Sequence, residues 1–164
     1  QCGLTMRCSE PGMSVAVAIH APAGRVAELG SLAVFAVRFG IYIYVDGSDL
    51  HDVADLLLRR LGEIARAFPH VRVIDDRFVK TPDMHPDDLP DWNLGLNFDL
   101  DHVGVCHVPR LLECIRSLAQ ESGRDFAVGY YDRRSKIDED IGFIEPAKDF
   151  SGISRVMESL AQNG

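Results

Sequence analysis

Apolar and polar positions repeat one pattern twice along this chain. In residues 41–76 and again in residues 94–132, an alternating segment leads through an Asp-containing polar stretch into an amphipathic segment. A second, shorter alternating segment follows each time. Alternation with a period of two indicates a half-buried strand, and apolar spacings of three and four indicate a helix. The chain therefore predicts strand–helix–strand twice, in an α+β domain.

The first strand has the clearest alternation in the sequence. Every odd position from Ala33 to Val45 is apolar, and the phase never slips. This predicts one strand with its odd side buried, and the prediction is firmest for residues 39–45. A helix over 49–68 follows, with a broad apolar stripe, Ser48 or Asp49 as its cap and Pro69 at its end.

The second half predicts a strand from Leu94, a helix over 109–122 that Gly123 ends, and strands over 126–131 and 141–144. A last helix starts near Ser151. Together these elements favour a ferredoxin-like, mainly antiparallel sheet with two helices on one face, plus a C-terminal hairpin strand and helix. The expected core residues are Ile43, Leu57, Leu61, Phe98, Ile115 and Val128. Residues 75–93 predict a long surface loop.

Length and composition predict one α+β domain over 31–164 and a peripheral segment over 1–30, either disordered or an added strand. The net charge of −8 argues against nucleic-acid binding, which depends on clustered Lys and Arg. No apolar run reaches the roughly 18 residues of a membrane span. The four cysteines, Cys2, Cys8, Cys106 and Cys114, form no CxxC pair, which predicts reduced thiols in a cytoplasmic protein.

Residues 99–107 hold the chain's densest group of potential metal ligands. They are Asp99, Asp101, His102, Cys106 and His107. They come from one short stretch, whereas structural metal sites usually gather two pairs, so we expect no metal ion. A second group, Asp46, Asp49, His51 and Asp52, fits a helix N-terminus better than a catalytic site. No phosphate-binding or nucleophile motif is present, so we expect no cofactor and do not favour an enzyme.

The even side of the first strand predicts an aromatic surface. If the two helices cover the odd side, the opposite side of the sheet carries Tyr42, Tyr44, Asn97 and Tyr131. Such a surface could hold a ligand or form a homodimer interface. The favoured alternative is that the last helix or the N-terminal segment covers it.

The segment from Asp75 to Asp101 contains eight Asp against Arg77 and Lys80, together with the only Trp. An aromatic side chain surrounded by acids suits a basic protein partner. The predicted interface residues are Asp83, Asp87, Asp88, Asp91, Trp92, Asp99 and Asp101. The alternative is a solvated loop whose Trp92 packs into the core.

No motif identifies a family. Bacterial immunity proteins, which block toxic nucleases, are often small, acidic, cytosolic α+β domains. By this analogy, the leading expectation is a binding protein that neutralises a basic partner, for which a toxin is one candidate. The alternative is a small-molecule-sensing regulatory domain that holds its ligand on the aromatic side of the sheet or at a dimer interface.

Overall fold

A computed structural model describes residues 38–47, 49–78, 81–83, 85 and 92–163. These residues form an α+β fold with a five-stranded antiparallel sheet and four α-helices. The strands are β1 (Phe39–Val45), β2 (Arg72–Arg77), β3 (Trp92–Asp99), β4 (Phe126–Asp132) and β5 (Ile137–Ile144), in the order β2-β3-β1-β4-β5. The helices are α1 (Ala54–Ala67), α2 (Leu100–Val103), α3 (Val108–Ser122) and α4 (Ser151–Gln162), with a 3-10 turn at Val105–His107.

The core lies on the side of the sheet that carries the odd residues of β1. Ile43 pairs with Leu96 on β3 and with Val128 on β4, and all three side chains are fully buried. The six core residues expected from the sequence are all at most 2% exposed, which confirms that prediction. Consecutive side chains of a strand point to opposite sides of the sheet. The register of β1 therefore determines which residues lie in the core and which lie on the opposite side.

Helices α1 and α3 contact each other and contribute Leu57, Leu61, Leu111 and Ile115 to the core. Gly123 ends α3 in the left-handed conformation at φ 67°, which a residue without a Cβ adopts without strain. Helix α4 contacts α2, α3 and β5. Its Ile153 lies 3.8 Å from where a Cβ on Gly142 would be.

That position of α4 corrects one expectation. Gly142 pairs with Val128, whose side chain is in the core, and Ile153 and Met157 of α4 are buried in the same core. The last helix therefore lies on the core side of the sheet and does not cover the aromatic side. The other candidate cover, the N-terminal segment, lies outside the described residues, as does all of the predicted peripheral region 1–30.

Three predicted boundaries differ from the structure. Helix α1 begins at Ala54 rather than at Asp49, because residues 51–53 form a separate turn closed by the Val53 N–H and the Leu50 carbonyl. The predicted loop over 75–93 is shorter, because β2 continues to Arg77 and pairs it with Trp92. Strand β5 begins at Ile137 rather than at residue 141, after a tight turn over 133–136.

Both lengthened strands lie at the edges of the sheet. Edge strands expose one flank to water and tolerate charged residues, which hide the usual apolar alternation. Within the described residues, no helix combines the length and apolar character needed to cross a membrane.

Candidate functional site

The side of the sheet opposite the core, called the open face below, carries three rows of residues that run across the strands. The middle row follows the register from β2 to β5. Its members are Arg72, Asn97, Tyr42, Gly129 and Asp140. Antiparallel neighbours on one face lie about 5 Å apart, so this row forms a continuous strip of polar and aromatic groups.

Two flanking rows complete the open face. The first flanking row consists of Asp99, Gly40, Tyr131 and Asp138. The second flanking row, on the other side of the middle row, consists of Ile74, Gly95, Tyr44, Ala127 and Phe143. The first flanking row is charged and the second is largely apolar. The middle row is therefore a boundary between a polar half and an apolar half of the open face.

Tyr42 and Tyr44 form the aromatic centre of the open face. Their rings are stacked, with centroids 5.4 Å apart and planes inclined by 28°. Tyr42 lies across β4, because a Cβ on Gly129 would be 2.1 Å from its Cζ and Oη atoms. Tyr44 lies close to β3, since a Cβ on Gly95 would be 2.6 Å from its Cδ1 atom. Glycine at position 129 therefore allows Tyr42 to occupy its place, whereas at Gly95 a Cβ would meet the backbone carbonyl oxygen of Ile43 before the ring of Tyr44.

A depression of about 400 Å³ opens on this face. This is within the range of small-molecule sites, which is roughly 300–1,000 Å³. The four residues predicted as a ligand face, Tyr42, Tyr44, Asn97 and Tyr131, all line it. Tyr131 is 39% exposed at its edge, next to Gly40 on β1. The structure thus brings these four residues together, and their role in binding stays a prediction.

An ion pair bounds one end of the depression. The Nη2 atom of Arg133 is 2.5 Å from Oδ1 of Asp99, and this contact crosses β1 at Gly40. The Nη2 atom lies 3.5 Å from where a Cβ on Gly40 would be. Arg133 therefore reaches from the β4–β5 turn across β1 to β3.

Tyr42 is held by Asp140. Its hydroxyl donates a hydrogen bond of 2.7 Å to Oδ1 of Asp140. Burial, the hydrogen bond to Asp140 and the nearby carboxylates of Asp140 and Asp138 raise the pKa of Tyr42 well above its ordinary value. The phenol therefore stays neutral throughout the physiological range.

Two polar groups of the depression lack partners among the described residues. The buried Oδ1 atom of Asn97 accepts no hydrogen bond from them. Arg72, exposed on the edge strand β2, forms no ion pair or hydrogen bond with the part of the chain that the structure describes. An unpaired buried acceptor costs roughly 1–3 kcal/mol, and because Asn97 lines the depression, a ligand that reached its amide would remove that cost.

The structure places two described members of the predicted partner interface at opposite ends of β3. Trp92 begins this strand and Asp99 ends it. Seven residue steps along a strand correspond to about 23 Å. Asp99 is already paired with Arg133, and Asp101 is exposed in the short helix α2.

The middle of that predicted interface is only partly described. Asp83 is exposed, and a hydrogen bond with Thr81 lowers its pKa. Asp87, Asp88 and Asp91 lie outside the described residues.

Trp92 is packed within the domain and only 6% exposed. Its Nε1–H donates a 2.8 Å hydrogen bond to Asp75, and the Arg77 guanidinium lies 4.0 Å from its ring centre. The His51 ring is 5.4 Å away on another side. This burial agrees with the alternative in which Trp92 packs into the core, and it leaves the side chain little surface for a partner.

The two other candidate groups are dispersed. His102 Nδ1 is 3.4 Å from Asp99, but no group of three or more metal-ligating side chains occurs among the described residues. Near α1, Asp52 forms an ion pair of 2.9 Å with Arg124, while the His51 ring faces Trp92. These residues thus form separate contacts rather than one catalytic arrangement.

Sequence reasoning missed Arg72, Arg133, Asp138 and Asp140 as members of the open face. Arg72 and the two acids lie on edge strands, and Arg133 lies in the turn that starts β5, so only the pairing register brings them to the tyrosines. Comparison with protein-family models, curated proteins and solved structures finds no match to this chain.

Proposed function

We propose that this domain binds a small molecule in the depression of its open face and acts as a ligand-sensing module. The observation that carries the proposal is the buried, unpartnered Oδ1 atom of Asn97 beside the stacked rings of Tyr42 and Tyr44. Ligand sites are typically concave, rich in aromatic groups and supplied with a few convergent polar atoms. The depression combines all three features.

Asn97 has different energetic effects in the free and in the ligand-bound protein. A buried acceptor without a partner destabilises the free protein, whereas a ligand that donates to it removes that cost on binding. Removal of the amide would therefore have opposite effects on stability and on binding. A purely structural asparagine would stabilise the free protein instead.

We also propose that the fold is ferredoxin-like with one added strand. In support, β3 lies between β1 and β2, and β1 lies between β3 and β4, which is the arrangement expected of two interleaved strand–helix–strand units. Strand β5 then extends the sheet beside β4. This fold serves many unrelated functions, so it does not by itself support ligand binding.

Binding of a basic protein remains a second proposal, in the manner of the immunity proteins. The net charge of −8 and the exposed carboxylates of Asp76, Asp83 and Asp101 support it. The burial of Trp92 weighs against it, because interfaces usually depend on accessible aromatic anchors.

The test is a thermal-shift screen of a fragment library against the wild type and Asn97→Leu. A ligand at about 100 times its Kd should raise the wild-type midpoint by about 5–10 °C. Asn97→Leu should leave the free protein equally or more stable and should abolish this shift. The matched control is Asn93→Leu, since Asn93 is exposed on the same strand. The proposal is wrong if every stabilising fragment acts equally on the wild type and on Asn97→Leu.

A further inference from the structure

The charges around the depression indicate which class of small molecule fits it. We infer that the ligand is a planar aromatic anion that also carries an N–H or O–H donor. This inference rests on the proposed function and specifies the chemistry of the same site. Three residues of the middle row correspond to the three groups of such a ligand: Arg72 to the acidic group, Asn97 to the donor and Tyr42 to the ring.

The acidic group belongs at Arg72. Arg72 is the cross-strand neighbour of Asn97 and lines the depression. Its guanidinium has no ion pair with a described residue, so a ligand carboxylate would not compete with an acid of the protein. The planar guanidinium fork binds carboxylate through two parallel hydrogen bonds, and such charge-assisted pairs are the strong ones.

The other charges of the depression exclude a different placement of the anion. Arg133 is occupied by Asp99. At the opposite end of the rows, Asp140 accepts the hydroxyl of Tyr42, and Asp138 lies beside it on the same strand. A ligand anion near β5 would meet two carboxylates, whereas one near β2 meets an unpaired guanidinium. The polarity of the site therefore directs the acidic group towards β2.

The ring of the ligand belongs over the two tyrosines. Tyr42 is two strands away from Arg72 in the same row, a distance of about 10 Å between backbones. Tyr42 and Tyr44 present stacked rings, and aromatic groups prefer offset-stacked or edge-to-face partners. Asn97 lies between Tyr42 and Arg72 in the same row and lines the depression, so a donor on the ligand passes beside its amide.

The test is isothermal titration with four related probes at one ionic strength. Indole-3-acetate has the ring, the N–H donor and the carboxylate. Indole-3-acetamide lacks the charge, tryptamine reverses it, and cyclohexaneacetate keeps the charge without the aromatic ring. We expect indole-3-acetate to bind most tightly. Indole-3-acetamide should bind about tenfold more weakly, which is the loss of affinity expected when one charge-assisted contact is removed.

Two variants assign the effect to Arg72. Arg72→Gln should weaken indole-3-acetate about tenfold and leave indole-3-acetamide unchanged. The matched control is Arg66→Gln, which makes the same charge change at an exposed position of α1. It should leave both probes unchanged.

The outcomes separate this inference from the proposed function. If tryptamine or indole-3-acetamide binds as tightly as indole-3-acetate, or if Arg72→Gln has no effect, the anionic class is wrong. The same conclusion follows if none of the four probes binds. The proposed function stands in each of these cases as long as some fragment stabilises the wild type and loses that effect in Asn97→Leu.

Discussion

The two sides of the sheet are made by the same strands and have opposite characters. On the core side, Ile43 is surrounded by Leu96 and Val128 and makes only apolar contacts with its cross-strand neighbours. One residue earlier, Tyr42 lies between Asn97 and Gly129 and donates to a carboxylate. The core side needs only apolar volume, so many residue combinations would satisfy it. The open face depends on which individual residues become neighbours.

Glycine illustrates that difference. On the open face, Gly129 and Gly95 are the places where the rings of Tyr42 and Tyr44 approach the neighbouring strands. A side chain at Gly129 would displace the ring of Tyr42, and one at Gly95 would meet both the Ile43 carbonyl oxygen and the ring of Tyr44. The arrangement of the open face therefore requires small residues at defined positions, which stability of the fold alone does not demand.

The largest expected difference between the two sides is in stability. Ile43→Ala should lower the free energy of unfolding by about 2–5 kcal/mol, because it removes a fully buried side chain and leaves a cavity. Urea denaturation measures this change. A cost below about 1 kcal/mol would contradict the position of Ile43 in the core.

A smaller effect is expected from a glycine of the open face. In Gly129→Ala the new Cβ would lie 2.1 Å from the ring of Tyr42 and 2.6 Å from the carbonyl oxygen of Glu139. We expect a loss of about 1–3 kcal/mol in the free energy of unfolding, since the ring and β5 must move.

The matched control for that variant is Gly62→Ala. Apart from the backbone of its own helix and its chain neighbours, no described atom lies within 4 Å of a Cβ on Gly62 in α1, so alanine should raise stability there by about 0.5–1 kcal/mol. Urea denaturation of both variants checks the pair. Equal effects at the two glycines would mean that Tyr42 does not depend on Gly129.

The smallest effect concerns the hydroxyl of Tyr42. Tyr42→Phe removes its hydrogen bond to Asp140 and should cost about 0.5–1.5 kcal/mol at pH 7. Because the folded protein raises the pKa of Tyr42, this contribution is complete below the ordinary tyrosine pKa of about 10. It is lost as the pH rises towards the raised value.

The measurement is the free energy of unfolding of wild type and Tyr42→Phe between pH 8 and pH 11. The difference between the two proteins should be constant up to about pH 10 and should shrink above it. A difference that grows with pH would have the wrong sign for a tyrosine stabilised in its neutral form.

The core side could be predicted from the sequence because burial leaves a periodic signal. The unbroken alternation through Ile43 and the helical spacing of Leu57 and Leu61 each identify an inward position without reference to any other strand. The open face was predicted only where the same alternation places residues opposite the core, as for Tyr42 and Asn97. The prediction that Tyr131 lies on the same face as Tyr42 and Asn97 depended on the expected sheet, with both helices on its other face.

The remainder of the open face depended on pairing between distant segments. Arg72 joins the middle row only because β2 pairs with β3 in one register, and Asp140 joins it across a bulge at Val128 and Gly129. A bulge shifts which residues are neighbours and leaves no periodic signal. The acids that are close in the sequence are likewise separated along the sheet, because Asp75 pairs with Leu94 near the start of β3, whereas Asp99 ends that strand.

The most direct test of the account is the location of bound ligand by nuclear magnetic resonance. Isotope-labelled protein would be titrated with the fragment that stabilises it most, and amide and tyrosine ring shifts would be mapped. The largest changes are expected at Tyr42, Tyr44, Asn97 and Tyr131, with little change in α1. Changes centred on the helices or on the acidic segment, with the tyrosine rings unaffected, would contradict the assignment of the open face as the binding site.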